Sequence, residues 1–435
     1  MKIAIIGSGI SGNVASYLLA PHHDITVYEK RDRTGGHSAT KYVDYHGDGQ
    51  KTAVDTGFIV YNELNYPGLT GLFSELGVDT TATDMSFAFS SDNGGFEWSG
   101  QSLATVFAQK SNILKPKFWR MLRDIFKFNK YAASDYEADN VGDLSLGQWL
   151  ARYSFSAVFK DRYLLPMGAA IWSTPVEQIL DFPAANFLQF FYNHRLINAD
   201  RPQWRSVLGG SQQYVTKLTQ RFETNIRLNS PVTRVERTAN GVAVTTADDR
   251  QVYDQVIFAT HSDQALAVLH DADETEHSVL SGVRYLPNQV YLHRDRRLMP
   301  RRQNTWSAWN YITDTSPKSE GSAPIMTVSY WMNRLQNIDP STPLFVTLNP
   351  PVPPAEELTF GHYEYDHPQY DHAALQAQKD LPKIQGKRGV WFCGAWTGYG
   401  FHEDGLQSAL RVCRGIAQLT ENSEMVTDFP LMAAE

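Results

Sequence analysis

Cysteine is almost missing from this chain: Cys393 and Cys413 are the only two among 435 residues. Two thiols exclude a disulfide framework and a four-thiolate zinc site, and their scarcity suits a reducing compartment. Also absent is any apolar run near the ~18 residues that a membrane-spanning helix needs. Nor is there a charged and then apolar leader ahead of the first strand, which starts at Lys2. A soluble, cytoplasmic protein is therefore expected. Positive charge is in short supply: 39 Lys and Arg against 47 Asp and Glu give a net charge of −8, which argues against a nucleic-acid binder. The 13 histidines form no HExxH and no compact cluster, so no metal site is expected. What remains, 42% hydrophobic and 20% charged, is the composition of a folded chain, and its length fits two or three domains.

The chemistry begins at the first residues. Lys2-Ile-Ala-Ile-Ile6 is a short apolar run bounded by Gly7, as in a buried parallel strand. Gly7-Ser8-Gly9-Ile10-Ser11-Gly12 follows, then an Ala/Leu-rich helix ending near Pro21 and a second strand, Ile25–Tyr28, ending at Glu29. Gly7 permits the tight turn, Gly9 lets backbone approach a diphosphate, and Gly12 lets helix and strand pack closely. The helix N-terminus offers free N–H groups to the phosphates, and Glu29 is placed to accept from a ribose. Strand, turn, helix, strand and acid in register predict an α/β dinucleotide fold without separating NAD from FAD.

The next segment separates them. Glu29-Lys30-Arg31-Asp32-Arg33-Thr34-Gly35-Gly36-His37 resembles the flavin-containing amine oxidase superfamily, in which an acid is followed by a basic loop and a Gly-Gly pair. The resemblance implies that Lys30, Arg33, Gly35 and Gly36 belong to the FAD diphosphate loop, with Ile10 and Ser11 at the helix start. The family usually has Arg after the glycines, where this chain has His37. A guanidinium is always charged and forks onto phosphate, whereas imidazole does neither reliably.

The second half of the signature lies far along the chain. A strand over Gly389–Gly394 enters a loop rich in glycine and aromatics, and a helix follows from Asp404, read as N-cap with Gln407 completing a capping box. This resembles the superfamily's final motif and implies that Gly394, Ala395, Gly405, Leu406 and Ser408 flank the flavin. Ala395 stands where the family commonly has an acid. No cysteine falls in the loop where some relatives attach flavin, so non-covalent FAD is expected. The resemblance implies a Rossmann-like FAD domain made of 1–75, 205–275 and 385–420, with Val232 beside the adenine. A discontinuous α+β substrate domain would comprise 76–204 and 276–384, with a tail over 421–435. A narrower resemblance, carried by Tyr291–Asp295, Trp306–Tyr311, Leu344–Pro350 and Gly400–Gly405, points to a bacterial subgroup of predicted NAD/FAD-binding proteins. Some of its members accompany cyclopropane-fatty-acyl synthases.

Candidates for the reaction itself are fewer. His402 is the general-base candidate by residue type, with Tyr399 and Glu403 in the same loop. A structural hydrogen bond is the alternative for His402. His194, Trp204 and Arg205 precede the Gly209-Gly210 turn that the family brings near the flavin; Arg205 suits a carboxylate, a phosphate or a structural ion pair. Many amine oxidases carry a Lys near flavin N5 on a strand matching Gln289–Leu292, and Gln289 stands there instead. Residues 182–192, dense in aromatics, fit either an apolar tunnel or plain core. Residues 110–130 combine seven basic side chains with Phe118, Trp119, Met121 and Phe126, which fits either a helix on an anionic membrane or a substrate-domain helix packing inward. The expected activity is FAD-dependent hydride transfer from a C–H bond of a hydrophobic, fatty-acyl or lipid substrate to flavin N5. The alternatives are oxidation of an amine or amino acid, and a structural FAD supporting a lipid-modifying partner. The oligomeric state is left open.

Overall fold

The computed structural model describes residues 1–198, 200–313 and 327–419; the expected tail from 421 lies outside them. Five parallel strands form the nucleotide sheet in the order Ile226–Arg227, Asp24–Tyr28, Lys2–Ile6, Gln255–Phe258, Val390–Phe392. The strand Lys2–Ile6 is apolar on both faces because both are covered. Ile3 and Ile5 face the helices Ile10–Leu19, Gln212–Thr219 and His402–Leu419. Ala4 and Ile6 face the opposite way, into a core shared with a three-stranded meander over 234–253 and the helices Glu274–Ser281 and His372–Asp380. The hairpin expected at Asn240-Gly241 forms, with Thr238 opposite Gly241.

A mixed seven-stranded sheet builds the second layer, in the order Thr359–Gln369, Arg284–His293, Phe345–Leu348, Thr327–Trp331, Trp309–Thr313, Phe87–Ser91, Phe96–Ser99. The helices of the segment 116–193 pack on it around Phe118, Phe128, Trp149, Phe159 and Phe187, all fully buried. That core absorbs most of the aromatic stretch expected as tunnel or core: Phe182, Phe187 and Phe191 are interior, and Phe190 alone of those rings reaches the cavity described below. The basic segment becomes a short 3-10 turn, Lys110–Leu114, and a 22-residue helix, Pro116–Glu137. Phe118, Met121 and Phe128 point inward while Trp119 and Phe126 stay exposed.

Two local expectations change. The last helix begins at His402, so Asp404 sits within its first turn; its Oδ2 accepts from the Phe401 N–H at 2.9 Å. Gln407 donates to Glu403 rather than closing a capping box. The box geometry is shifted because Glu403 is drawn sideways to the helix Pro67–Glu75, accepting from the N–H groups of Gly68 and Leu69 at 2.8 and 2.9 Å.

The turn that starts the first helix has no spare room. A Cβ on Gly12 would lie 1.9 Å from the Gly7 carbonyl oxygen, a backbone atom that cannot move aside. Gly12→Ala should therefore destabilise the protein by about 1–3 kcal/mol, the usual cost of overpacking. Urea unfolding checks this, and an unchanged midpoint would contradict the packing.

Candidate active site

The two layers enclose a cavity of about 690 Å³ that runs from the glycine turn to the seven-stranded sheet. At one end lie Gly7, Ser8, Gly9, Ile10 and Ser11, with Glu29, Lys30 and Val232 beside them. The helix Ile10–Leu19 has Gly9 as its N-cap and no side-chain cap, so its first N–H groups remain available. A Cβ on Gly9 would meet nothing within 4 Å, whereas Gly36 backs directly onto the Gly9 Cα. The loop thus leaves an open cradle of backbone donors where a diphosphate would lie. Glu29 is buried and holds the turn, accepting from the Ser8 N–H and hydroxyl through Oε2 and from the Arg31 N–H through Oε1.

The basic loop is organised differently from its expected use. Arg33 donates to the carbonyls of Thr34, Gly36 and Ser38 at 2.9–3.2 Å and does not line the cavity. It shapes the turn in which Gly35 and Gly36 adopt φ of +103° and +57°. Lys30, Arg31, Gly36 and His37 do line the cavity.

From the far end of the sequence, Gly394, Ala395 and His402 reach the same cavity. Gly405 lets the last helix approach the first, since a Cβ there would be 2.8 Å from Ile10 Cγ2. Leu406 is core, and Ser408 works from behind, its hydroxyl accepting from the Gly394 N–H at 2.9 Å. Cys393 and Cys413 are buried, and burial pushes both thiols up.

The reaction candidates separate sharply. His402 is half-buried, stacks on Phe58 at 3.8 Å and has Nε2 2.9 Å from the Ser38 hydroxyl. Burial brings it down to about 3, so it stays neutral and is a poor proton acceptor at neutral pH. Tyr399 and Glu403 do not line the cavity: the Tyr399 hydroxyl donates to Gln189 at 2.5 Å, and Glu403 is the helix contact already described. His194 and Trp204 line the cavity, His194 stacked on Phe190 and lowered to about 4 by burial. Arg205 is turned to the opposite face of its strand, donating to Thr80 and pairing with Glu63 at 3.6 Å, so the ion-pair alternative describes it. Gln289 likewise faces away, bonded to Glu364 and His362, and its neighbour Val290 is the side chain this strand turns inward.

Several residues escaped the sequence reading. His261 and His367 join His37 along the cavity wall, and Arg201 lines the substrate end. Tyr365 and His367 sit two apart on the strand Thr359–Gln369, a period-2 signal visible in the sequence but meaningless without the register against Arg284–His293. Asp55 is fully buried and joins three segments: it accepts from Thr40, from the N–H and hydroxyl of Ser211, and from Gln336.

A glycine-turn nucleotide sheet opening into a chamber under a mixed sheet defines a flavoprotein oxidoreductase. The flavin containing amine oxidoreductase model matches residues 8–348, and the chain belongs to that family of flavin-dependent enzymes. A Mycobacterium tuberculosis protein named as a flavin-containing monoamine oxidase, AofH, is 24% identical over 283 residues, covering 62% of this chain and 59% of the relative. The match thus spans about three fifths of that relative's length. Among solved structures, putrescine oxidase bound to putrescine superposes with a TM-score of 0.66 at 18% identity, covering 96% of this chain and 99% of the other. Cyclohexylamine oxidase from Brevibacterium oxydans gives 0.67 at 15% identity (97% and 99%), and a conjugated-linoleic-acid-producing fatty acid isomerase from P. acnes gives 0.64 at 16% (96% and 98%). These likenesses establish the fold.

Burial raises Asp55 to about 6, against the hydrogen bonds that favour its ionised form. A carboxyl raised above its unfolded value contributes fully below the unfolded pKa of 3.8 and loses that contribution as pH rises through about 6. Asp55→Asn removes this titration and one acceptor oxygen. The variant should melt lower than wild type, and the difference should be wider at about pH 5 than at about pH 7.5. Melting curves at both pH values check this; a pH-independent difference would exclude it.

Proposed function

We propose that the chain is a non-covalent FAD oxidoreductase that oxidises a hydrophobic, acyl-type substrate. When bound, FAD supplies the acceptor for two electrons and a hydride. The Gly7–Gly12 turn and the uncapped helix N-terminus would hold its diphosphate, Glu29 its ribose, and Val232 its adenine, while Gly394 and Ala395 would border the ring. The observation that carries the substrate class is electrostatic. The wall of the substrate end is formed by Met85, Met167, Ile171, Phe190, Val290 and Leu348, and its single charged side chain among the described residues is Arg201. The acids on the cavity wall are Glu29, in the nucleotide loop, and Asp366, beside the histidines. An ammonium among these apolar side chains meets one repelling guanidinium, whereas a long chain with an anionic head meets an apolar wall and a cation.

Buried apolar walls exclude water and orient the substrate, and neutral His402 and His194 serve as hydrogen-bonding groups rather than bases. The fatty acid isomerase among the structural neighbours accords with such a substrate. Oxidation of an amine remains the second reading. Trp309 and Tyr330, T-shaped at 4.9 Å on the cavity wall, offer two sides of a cation-binding cage.

Anaerobic mixing of the purified yellow protein with fatty acids, acyl esters and an amine panel distinguishes the readings. Acyl substrates should bleach the flavin; bleaching by amines alone would sink the first reading. Arg201→Gln should raise KM for an anionic acyl substrate by about tenfold with kcat little changed, corresponding to one lost charge-assisted contact.

A surface role fits the same substrate. Trp119 and Phe126 are 49% and 75% exposed on the basic helix, and Leu114 just before it is 85% exposed. Lys117, Arg120 and Lys130 are exposed on the same helix. Apolar side chains among cations suit the surface of an anionic bilayer. Co-sedimentation with phosphatidylglycerol vesicles should fall severalfold in a Trp119→Ser, Phe126→Ser, Lys117→Gln, Arg120→Gln variant; equal binding would remove the role.

A further inference from the structure

Three imidazoles crowd the cavity wall between the glycine turn and the mixed sheet. His37 lies 6.1 Å from His261 and 5.8 Å from His367, ring centre to ring centre. They come from three places in the chain: the loop after Gly36, the end of the strand Gln255–Phe258, and the strand Thr359–Gln369. His37 Nε2 and His261 Nδ1 are buried and have no hydrogen-bond partner. Unpaired polar atoms in an interior are costly, and two of them on rings that line one cavity point to a missing partner.

The position identifies the ligand. Gly36, directly before His37, abuts Gly9, the open glycine of the diphosphate cradle, and the Ala259 carbonyl, two residues before His261, abuts Gly7. His37 also stands at the sequence position where the resembled family usually carries an arginine. Oxidised FAD is charged only at its diphosphate near neutral pH. We propose that His37, His261 and His367 form a diphosphate subsite that takes up a proton from solvent when FAD binds. This rests on FAD as the cofactor, as argued above.

The direction follows from the surroundings. Without the anion, His37 is kept neutral by burial and by its neighbours His367, His261, His402 and Arg31. His261 faces Asp263 and Asp366, which favour its cation, and Lys30 and Arg31, which oppose it; burial dominates. Burial and His261 bring His367 down to about 4 despite Asp366. A doubly charged diphosphate in contact with these rings favours the imidazolium and gives it an acceptor. One proton moves from solvent to a ring nitrogen, and no bond in the cofactor changes.

The test dilutes the holoprotein until flavin dissociates and reads released flavin fluorescence between about pH 8 and about pH 6. The Kd for FAD should fall toward lower pH, by up to about tenfold per pH unit if one full proton is taken up. A fixed charge replaces the titrating one in His37→Arg, so its Kd should lose most of this slope. His37→Gln and His261→Gln should lose the slope and bind more weakly. A wild-type Kd that is flat, or that rises toward lower pH, overturns the proposal without any variant. A slope that persists in the His37→Gln, His261→Gln, His367→Gln triple variant places the proton elsewhere and overturns it too. Chromatography of the released flavin separates the two claims: a flavin other than FAD refutes the cofactor, whereas FAD with no slope refutes only the subsite.

Discussion

The parallel pairing of Lys2–Ile6 with Gln255–Phe258, and of that strand with Val390–Phe392, is the constraint on which the structure depends. Parallel neighbours cannot be joined by a tight turn, so long stretches of chain must leave the sheet and return. Those excursions are where the substrate layer is made. The glycine turn after the first strand and the Gly394 turn after the last both open at the carboxyl ends of their strands, where ligands of open α/β sheets collect. Substitutions in this small central register would therefore disturb both ends of the cavity, although few of its residues touch the cavity.

Much of the nucleotide end was legible because its requirements are local. Gly7, Gly9 and Gly12 lie in one turn, and Glu29 follows within a single βαβ unit, so spacing alone carries the geometry. The substrate end was not legible in the same way. Arg205 looked available, yet strand alternation sends it outward while Trp204 faces in; one residue of register decides between a ligand contact and an ion pair. Gln289 and Val290 repeat the lesson. Glu403 stood out as an acid in a flavin loop, but a helix over three hundred residues away takes both its oxygens.

The basic loop shows how a motif can keep its shape and shift its function. Arg33 holds the carbonyls of its own turn, and Glu29 holds the turn before it, so the conspicuous charged residues are partly scaffold. Among the cavity-lining groups left without a hydrogen-bond partner are two histidines, His37 and His261, which lie far apart in sequence. Polar atoms with no internal partner are informative because proteins so rarely leave them.

The last strand of the nucleotide sheet has a consequence for biogenesis. Because Val390–Phe392 and the helix after it complete the cavity, a chain still emerging from the ribosome lacks one wall of the pocket until that segment has been made. Local elements such as the meander over 234–253 need not wait, but contacts between residues hundreds apart form late and slowly. Loading of the flavin must then wait for that segment rather than guide its synthesis, and the nascent protein spends the interval with this cleft open.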